Sequence, residues 1–122
     1  MTHFPPDWLR PQWPAPAHVH ALCTTRTGGH SQPPYDRMNL GDHVGDDPRA
    51  VAANRGVLQA ALQSVTPQAQ AVFLQQVHGT QVVVLKPGTD DGVVADACVS
   101  AQPGLACTIM VADCLPVLLT DR

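Results

Sequence analysis

Proline and glycine interrupt this chain so often that they limit what it can fold into. The 122 residues include 12 prolines and 9 glycines. Proline is excluded from helix interiors and from central strands, and both residues favour turns. The pattern therefore predicts short strands joined by turns and excludes a helical bundle. The length predicts one domain, long enough to bury a core.

Composition and charge exclude several classes of protein. Hydrophobic residues make up 44% of the chain, which argues against a disordered tail, and the formal net charge is −3, which argues against a nucleic-acid or membrane-surface binder. No apolar stretch reaches the roughly 18 residues that a membrane span needs. The four cysteines are widely spaced and no secretion signal accompanies them, so we expect reduced thiols in a cytoplasmic protein.

One helix is well marked in the sequence. Asp46 or Asp47 can cap it, and Pro48 suits its first position. Asn54 and Arg55 lie on or beside its apolar stripe; the favoured interpretation is that both flank the core and reach solvent or a carbonyl. The alternative is that they tie the helix to the preceding loop. The stripe itself has helical spacing and consists of Val51, Leu58, Ala61, Leu62 and Val65.

The strands are predicted from apolar and β-branched runs, at residues 18–25, 71–77, 81–86, 105–112 and 116–120, with a weak signal at 95–99. Residues 78–80 suit a tight reversal between two of these strands. The continuous apolar run at 105–112 is typical of a strand buried on both faces. Residues 26–45 form a long, turn-rich connection, which in a compact domain is usually functional or mobile.

His78 and Cys114 are the leading candidates for chemistry. Each follows an apolar strand, and strand ends are where sheets present reactive groups. Imidazole and thiolate are both zinc ligands, and they also form a base and nucleophile pair. Their spacing carries no short-range ligand signature, so a hydrogen-bonded turn histidine and a small buried cysteine remain an alternative.

Arg26, Asp96 and Asp113 each allow a functional and a structural interpretation. Arg26 precedes Gly28 and Gly29, and a loop of backbone amides beside a guanidinium can hold a phosphate, although a turn with a solvated arginine has the same pattern. Asp96 and Asp113 are either supports for a metal-bound histidine or ordinary caps.

Several motifs, taken in order, resemble the YfiH family, which was once named multicopper polyphenol oxidase or laccase-like. The match runs from about His20 to the last residue, and it favours a function at His78 and Cys114. The motifs lie at residues 24–29 (Thr-Thr-Arg-Thr-Gly-Gly), 39–41 (Asn-Leu-Gly), 44–48 (Val-Gly-Asp-Asp-Pro), 75–79 (Gln-Gln-Val-His-Gly), 95–97 (Ala-Asp-Ala) and 112–119 (Ala-Asp-Cys-Leu-Pro-Val-Leu-Leu).

The resemblance implies an α/β (or α+β) fold, a layered sandwich with a mixed sheet. It implies that residues 1–122 are the N-terminal part of a single domain of this family. Residues 1–17, which precede the match and are rich in proline with two tryptophans, are predicted to form an arm on the domain. The family's third metal ligand is a histidine further along the chain, so we expect the sandwich to be incomplete and the third ligand to lie downstream of Arg122. With two ligands the zinc should bind weakly, and we expect this fragment alone to be inactive.

The resemblance also implies an activity. The intact protein is expected to be a zinc-dependent purine nucleoside phosphorylase that converts adenosine, inosine, guanosine or methylthioadenosine and phosphate to free base and ribose-1-phosphate, and that also deaminates adenosine. His78 and Cys114 are expected to bind the metal and act in catalysis. Arg26 is expected to contact the anion, and Asn39 and Gln76 are expected to contact substrate.

Three alternatives remain open. The first is copper-dependent oxidation of phenols, which needs several coppers and many histidines, whereas the chain has six. The second is a metal-free hydrolase in which Cys114 is the nucleophile and His78 its base. The third is a binding module without catalysis. The sequence predicts no oligomeric state.

Overall fold

The computed structural model of the protein describes residues 5–122, so the first four residues of the predicted arm lie outside the described residues. Two compact units are present: Thr66–Pro116 forms one, and the preceding residues together with Val117–Arg122 form the other. The elements are α1 (Pro48–Gln63), β1 (Gln70–Val72), β2 (Leu74–Gln75), β3 (Val82–Val84), β4 (Val93–Val94), β5 (Ala97–Val99) and β6 (Leu105–Cys107). The predicted α/β class is confirmed.

Helix α1 begins where the sequence predicts and buries part of the predicted stripe; Leu62 is only half-buried, and Val65 lies beyond the end of the helix. Asp47 is the N-cap, and its carboxylate accepts a hydrogen bond from the Arg49 backbone N–H at 2.9 Å. Pro48 takes the first helical position. A backbone N–H there would have no acceptor within the helix, so the N–H that proline lacks is not missed. On the inner face Val51, Leu58 and Ala61 are buried. This face packs the helix onto the core of its unit.

The N-terminal part of the same unit is joined to the turn-rich connection. Trp8 is buried, and its Nε1 donates to the carbonyl of Thr27 at 2.9 Å. Leu9 and Cys23 form an isolated antiparallel bridge. The strand predicted over residues 18–25 is therefore wrong in extent, because only this single bridge gives its backbone a ladder partner.

The strands of the other unit pair in parallel. The pairs are β1 with β6, β2 with β4, and β3 with β5. The tight reversal predicted at residues 78–80 is wrong, because β3 follows that turn and pairs with β5 instead of folding back on β2. Parallel pairing needs a longer crossover than a hairpin does, and the intervening loops provide it.

Phe73 divides the strand predicted over residues 71–77. Its backbone N–H donates to the Asp91 carboxylate at 2.9 Å, and its carbonyl accepts from Gly92 N–H at 2.9 Å. The chain therefore changes partner at Phe73, from β6 before it to β4 after it. Local apolar character alone gave no sign of this change.

The two C-terminal strand predictions also need correction. Residues 105–112 were expected to be buried on both faces, but the strand ends at Cys107 and Val111 is 41% exposed. Residues 116–120 form no strand, and Leu119 is 89% exposed. The reason is that neither stretch finds a further ladder partner among the described residues. Within residues 5–122, no helix combines the length and hydropathy that a membrane crossing requires.

Candidate active site

Parallel pairing brings the loop of His78 to Asp96. Strands β2 and β4 run side by side, with Gln75 opposite Val94. The residues that follow them, His78 and Asp96, therefore leave from the same edge. This placement is a consequence of register, which the sequence pattern does not specify.

The Asp96 carboxylate binds three consecutive backbone amides of this loop. Its Oδ1 accepts from Val77 N–H at 3.0 Å and from His78 N–H at 2.8 Å, and its Oδ2 accepts from Gly79 N–H at 2.7 Å. These donors, with Gly79 first, lower the pKa of Asp96 below its ordinary value of 3.8. His78 itself has a φ of 60°, a left-handed conformation that costs energy for a residue with a side chain. The three bonds offset this cost and fix the His78 backbone.

A second brace joins this loop to the segment that carries Cys114. The side-chain amide of Gln76 donates from Nε2 to the Met110 carbonyl at 2.8 Å, and its Oε1 accepts from Met110 N–H at 2.8 Å. Asp113, just before Cys114, has a φ of 70°. The predicted ligands His78 and Cys114 are both exposed. Both therefore lie in solvent-facing loops. The left-handed residue is His78 itself in one loop and Asp113, next to Cys114, in the other.

The amide of Gln76 is thus engaged with backbone. The sequence analysis expects Gln76 to contact substrate, and this remains a prediction. In the structure its side chain instead holds the Met110 backbone. Each of the amide's two atoms uses one hydrogen bond on Met110, and each keeps one further donor or acceptor position.

The donor types of His78 and Cys114 fit zinc, which binds imidazole nitrogen and thiolate sulfur. Within residues 5–122, no group of three or more His, Cys or Asp side chains is placed to hold a metal ion. The two predicted ligands therefore do not make a closed site with a third side chain from this part of the chain. Metal binding by His78 and Cys114 stays a prediction.

Arg26 lines a cleft in the other unit. Its Nη2 donates to the Asp36 carboxylate at 3.2 Å, and its side chain is 77% exposed. The cleft has a volume of about 440 Å³ and is also lined by Arg37, Gly28 and Gly29. A Cβ on Gly29 would overlap the Arg37 carbonyl, so only glycine permits this close approach of the two backbones. The Arg26 guanidinium could bind an anion here, but the Asp36 carboxylate, which also lines the cleft, occupies it in this structure.

Asn39 belongs to a polar network that holds the turn-rich connection against α1. Its Oδ1 accepts from Gly41 N–H at 3.1 Å, and its Nδ2 donates to Gly41 O and to the Asp46 carboxylate, both at 3.1 Å. Ser31 Oγ donates to the same carboxylate at 2.5 Å. The role of Asn39 in substrate binding stays a prediction, since its amide serves the loop in this structure.

Asn54 is the residue whose structural role the sequence analysis undervalued. It is fully buried; its Oδ1 accepts from His30 N–H at 2.7 Å, and its Nδ2 donates to Ser31 Oγ and the Asn39 carbonyl. Arg55 Nε reaches the Leu40 carbonyl at 2.9 Å. The favoured interpretation of Asn54 as a flanking residue was therefore wrong, and the tie to the loop is correct. An asparagine on an apolar helical stripe was the signal.

The family comparison covers most of these residues. Residues 20–122 match the family model described as "Multi-copper polyphenol oxidoreductase laccase". The chain belongs to this family. The resemblance inferred from the motifs is confirmed, and the family includes both of the loops described above within the matched range.

Two relatives and one solved structure show how similar the chain is to other proteins. It is 54% identical over 115 residues to a protein of Pseudomonas aeruginosa named purine nucleoside phosphorylase PA4543, covering 94% of this chain and 45% of that one. It is 47% identical over 112 residues to purine nucleoside phosphorylase YfiH of Escherichia coli, covering 92% and 45%. The crystal structure of NMB0706 from Neisseria meningitidis, of family DUF152, superposes with a TM-score of 0.75 at 43% identity, covering 88% and 43%. The chain spans less than half the length of these relatives.

Proposed function

We propose that this chain is part of a zinc-dependent purine nucleoside phosphorylase. The observation that carries the proposal is the 54% identity, over 94% of the chain, to a relative named purine nucleoside phosphorylase; the zinc is proposed from the donor types of His78 and Cys114. The proposed substrates are purine nucleosides, namely adenosine, inosine, guanosine and methylthioadenosine, together with phosphate. A cytoplasmic location remains a prediction from the cysteine content.

His78 and Cys114 are the residues that would hold the zinc. Bound there, the ion would supply a Lewis acid or a water of lowered pKa. Asp96 would act as a positioning residue, because it fixes the backbone of His78 through three hydrogen bonds. Metal ligands depend on such support for their orientation.

Phosphorolysis breaks the C–N bond between base and ribose while phosphate adds to the ribosyl carbon. Positive charge develops on that carbon, so an oriented phosphate stabilises it by proximity and by charge. Arg26 would contact the phosphate, since its exposed guanidinium, which pairs with the Asp36 carboxylate in this structure, is of a type that binds anions. Asn39 and Gln76 are proposed as weaker polar contacts to substrate.

Adenosine deamination is proposed as a second reaction of the same protein. There, water adds to the purine carbon and ammonia leaves. This proposal rests on the family resemblance and on the donor set of His78 and Cys114, which suits an ion that activates water.

A chimaera tests the proposal in the context of a full-length relative. Residues 1–122 are joined to the remaining part of the Pseudomonas protein, and inosine and phosphate are supplied with zinc. We expect hypoxanthine and ribose-1-phosphate in equal amounts. Residues 1–122 alone are expected to bind zinc weakly and to show no turnover, because a catalytic zinc normally has three protein ligands.

The controls separate folding from chemistry. His78→Ala and Cys114→Ala in the chimaera should each abolish product formation and weaken zinc binding, whereas Cys23→Ala should leave both unchanged. Release of hypoxanthine without phosphate, or no release from a folded, zinc-loaded chimaera, would contradict the phosphorylase proposal.

The family description favours a second candidate, copper-dependent oxidation of phenols. It predicts several coppers per chain, a visible absorption band and oxidation of a phenol by the chimaera. A metal-free hydrolase instead predicts activity that survives a chelator and is lost on alkylation of Cys114. Metal analysis of the active chimaera, with one zinc expected, distinguishes all three.

A further inference from the structure

Residues that precede the family match lie against the loop that carries Arg26. The match begins at residue 20, whereas residues 5–9 form a segment that we call the strap. Its partner, the Arg26 loop, consists of residues 23–28. Both belong to the same compact unit. The strap contacts this loop both before and after Arg26 in the sequence.

Before Arg26, backbone and side-chain hydrogen bonds join the loop to the strap. Leu9 and Cys23 form an antiparallel bridge, in which each backbone N–H donates to the other residue's carbonyl at 2.8 Å. The Thr25 hydroxyl donates from Oγ1 to the Asp7 carboxylate at 2.8 Å. A carboxylate is a stronger acceptor than a neutral group. The chain that leads into Arg26 is therefore held at two points.

After Arg26, Trp8 and Pro5 hold the loop. The Trp8 side chain is buried, with 4% of the residue exposed, and donates from Nε1 to the Thr27 carbonyl at 2.9 Å. A buried indole N–H without an acceptor would cost free energy, so this bond favours the observed position of Thr27. Gly28 has a φ of 96°, and a Cβ there would lie 2.6 Å from Cγ of Pro5. The proline ring therefore lies directly against the Gly28 backbone.

The Arg26 side chain is the exception within this loop. It is 77% exposed, lines the cleft and donates from Nη2 to the Asp36 carboxylate at 3.2 Å, not to the strap. The strap thus fixes the backbone around Arg26 while the guanidinium stays at the cleft. An anion that binds there does not have to order the loop first, and avoiding that ordering cost strengthens binding.

We propose that Trp8 and Asp7 are positioning residues for Arg26, which hold its loop ready for a phosphate that exchanges with the Asp36 carboxylate on the guanidinium. This inference rests on the phosphate contact that Arg26 makes in the proposed function, and it adds the part of the chain that prepares that contact. Neither positioning residue lines the cleft. Loss of either one therefore weakens phosphate binding by allowing other loop conformations, and it leaves the bond-breaking step unchanged.

Protection of Arg26 by phosphate tests the proposal on the 122-residue chain. Phenylglyoxal modifies exposed arginines at pH 8 and constant ionic strength, and peptide mass spectrometry measures the rate at each arginine. Inorganic phosphate should slow the modification of Arg26 but not that of Arg49, which is 93% exposed. Trp8→Phe keeps an aromatic ring and loses the N–H. We expect half-protection to need about fivefold more phosphate in this variant, the change that one lost hydrogen bond makes in an equilibrium.

Further variants separate positioning from stability. Asp7→Ala changes an exposed residue and should also raise the phosphate concentration for half-protection, so it serves where Trp8→Phe fails to fold. Trp13→Phe is the matched control, because within residues 5–122 Trp13 makes no hydrogen bond to the loop. Leu58→Ala removes a buried side chain from α1 and lowers the stability of the same unit, yet it should leave half-protection unchanged.

The chimaera separates this inference from the proposed function. There, Trp8→Phe should raise the KM for phosphate and leave kcat and the KM for inosine unchanged. The proposal is overturned if phosphate does not protect Arg26, if Trp8→Phe and Asp7→Ala are both protected like the wild type, or if Leu58→Ala weakens protection as much as Trp8→Phe does. A chimaera that shows no turnover, but in which Trp8→Phe still weakens the protection of Arg26, supports the strap and refutes the phosphorylase.

Discussion

At the scale of single residues, polar side chains with several hydrogen-bond partners join separate segments of this protein. Asn54 satisfies three partners inside the helix–loop contact, and Asp96 satisfies three amides in the His78 loop. The buried Asn54 amide would cost free energy if its partners were absent, and the half-buried Asp96 carboxylate holds the backbone of its loop. Substitution of either residue therefore has a defined consequence.

Asn54→Ala is expected to lower the free energy of unfolding by roughly 2–4 kcal/mol, because it leaves the His30 N–H and the Asn39 carbonyl without their buried partner. Urea denaturation measures the change. Arg49→Ala is the control, since that side chain is 93% exposed and its loss should change stability by less than about 0.5 kcal/mol. Equal effects of the two variants would contradict the role given to Asn54.

Asp96→Asn replaces a carboxylate oxygen by an NH₂ group, which faces an N–H instead of accepting from it. We expect the amides of Val77, His78 and Gly79 to exchange hydrogen faster, and zinc affinity of the chimaera to fall by about 10- to 100-fold. Hydrogen exchange measures the protection of the loop amides in the absence of metal. Asp90→Asn, on an exposed residue, serves as control. Unchanged exchange at His78 would mean that the loop is held by other contacts.

At the scale of elements, hydrogen bonds join the turn-rich connection to the start of α1. Asp46 lies at their junction, where the Ser31 hydroxyl, the Asn39 amide and the Asp47 N–H hydrogen-bond its carboxylate. These donors, Ser31 foremost, lower its pKa below the ordinary value of 3.8. The ionised form therefore stabilises the folded connection.

The sign of the pH dependence follows from this lowered pKa. The stabilisation by Asp46 is present above its ordinary pKa of 3.8 and is lost as the pH falls through the lowered value. We expect Asp46→Asn to be less stable than the wild type at pH 7 and to lose less stability on acidification. Urea denaturation at several pH values measures both. A wild-type acid slope that the variant keeps in full would contradict the assignment.

At the scale of the whole molecule, much apolar surface stays exposed. Val82 and Val84 on β3 are 58% and 57% exposed, and Val99, opposite Val84 on β5, is 48% exposed. Each sheet within residues 5–122 has only two strands, so both of its edges lack a further hydrogen-bonded strand. Exposed edges with apolar faces favour association.

Val84→Lys is therefore expected to reduce self-association of the 122-residue chain. The physical reason is that a charge on an edge strand opposes edge-to-edge pairing. Light scattering over a range of protein concentrations measures the self-association. Val57→Lys, on the half-buried side of α1, is a matched apolar-to-charged control that should not reduce association. If both variants scatter like the wild type, the β3–β5 face does not drive association.

The sequence by itself determined the helix with its cap, the α/β class and the family, because capping and helical periodicity act between residues a few positions apart, and because the motifs are local strings. Tertiary structure alone decided the parallel pairing, the partner change at Phe73, the burial of Asn54 and the hydrogen bonds between Asp96 and the His78 loop. These features join residues fifteen or more positions apart, such as Asn54 with Asn39 and Asp96 with Val77, and no local pattern specifies which distant strand a segment will meet.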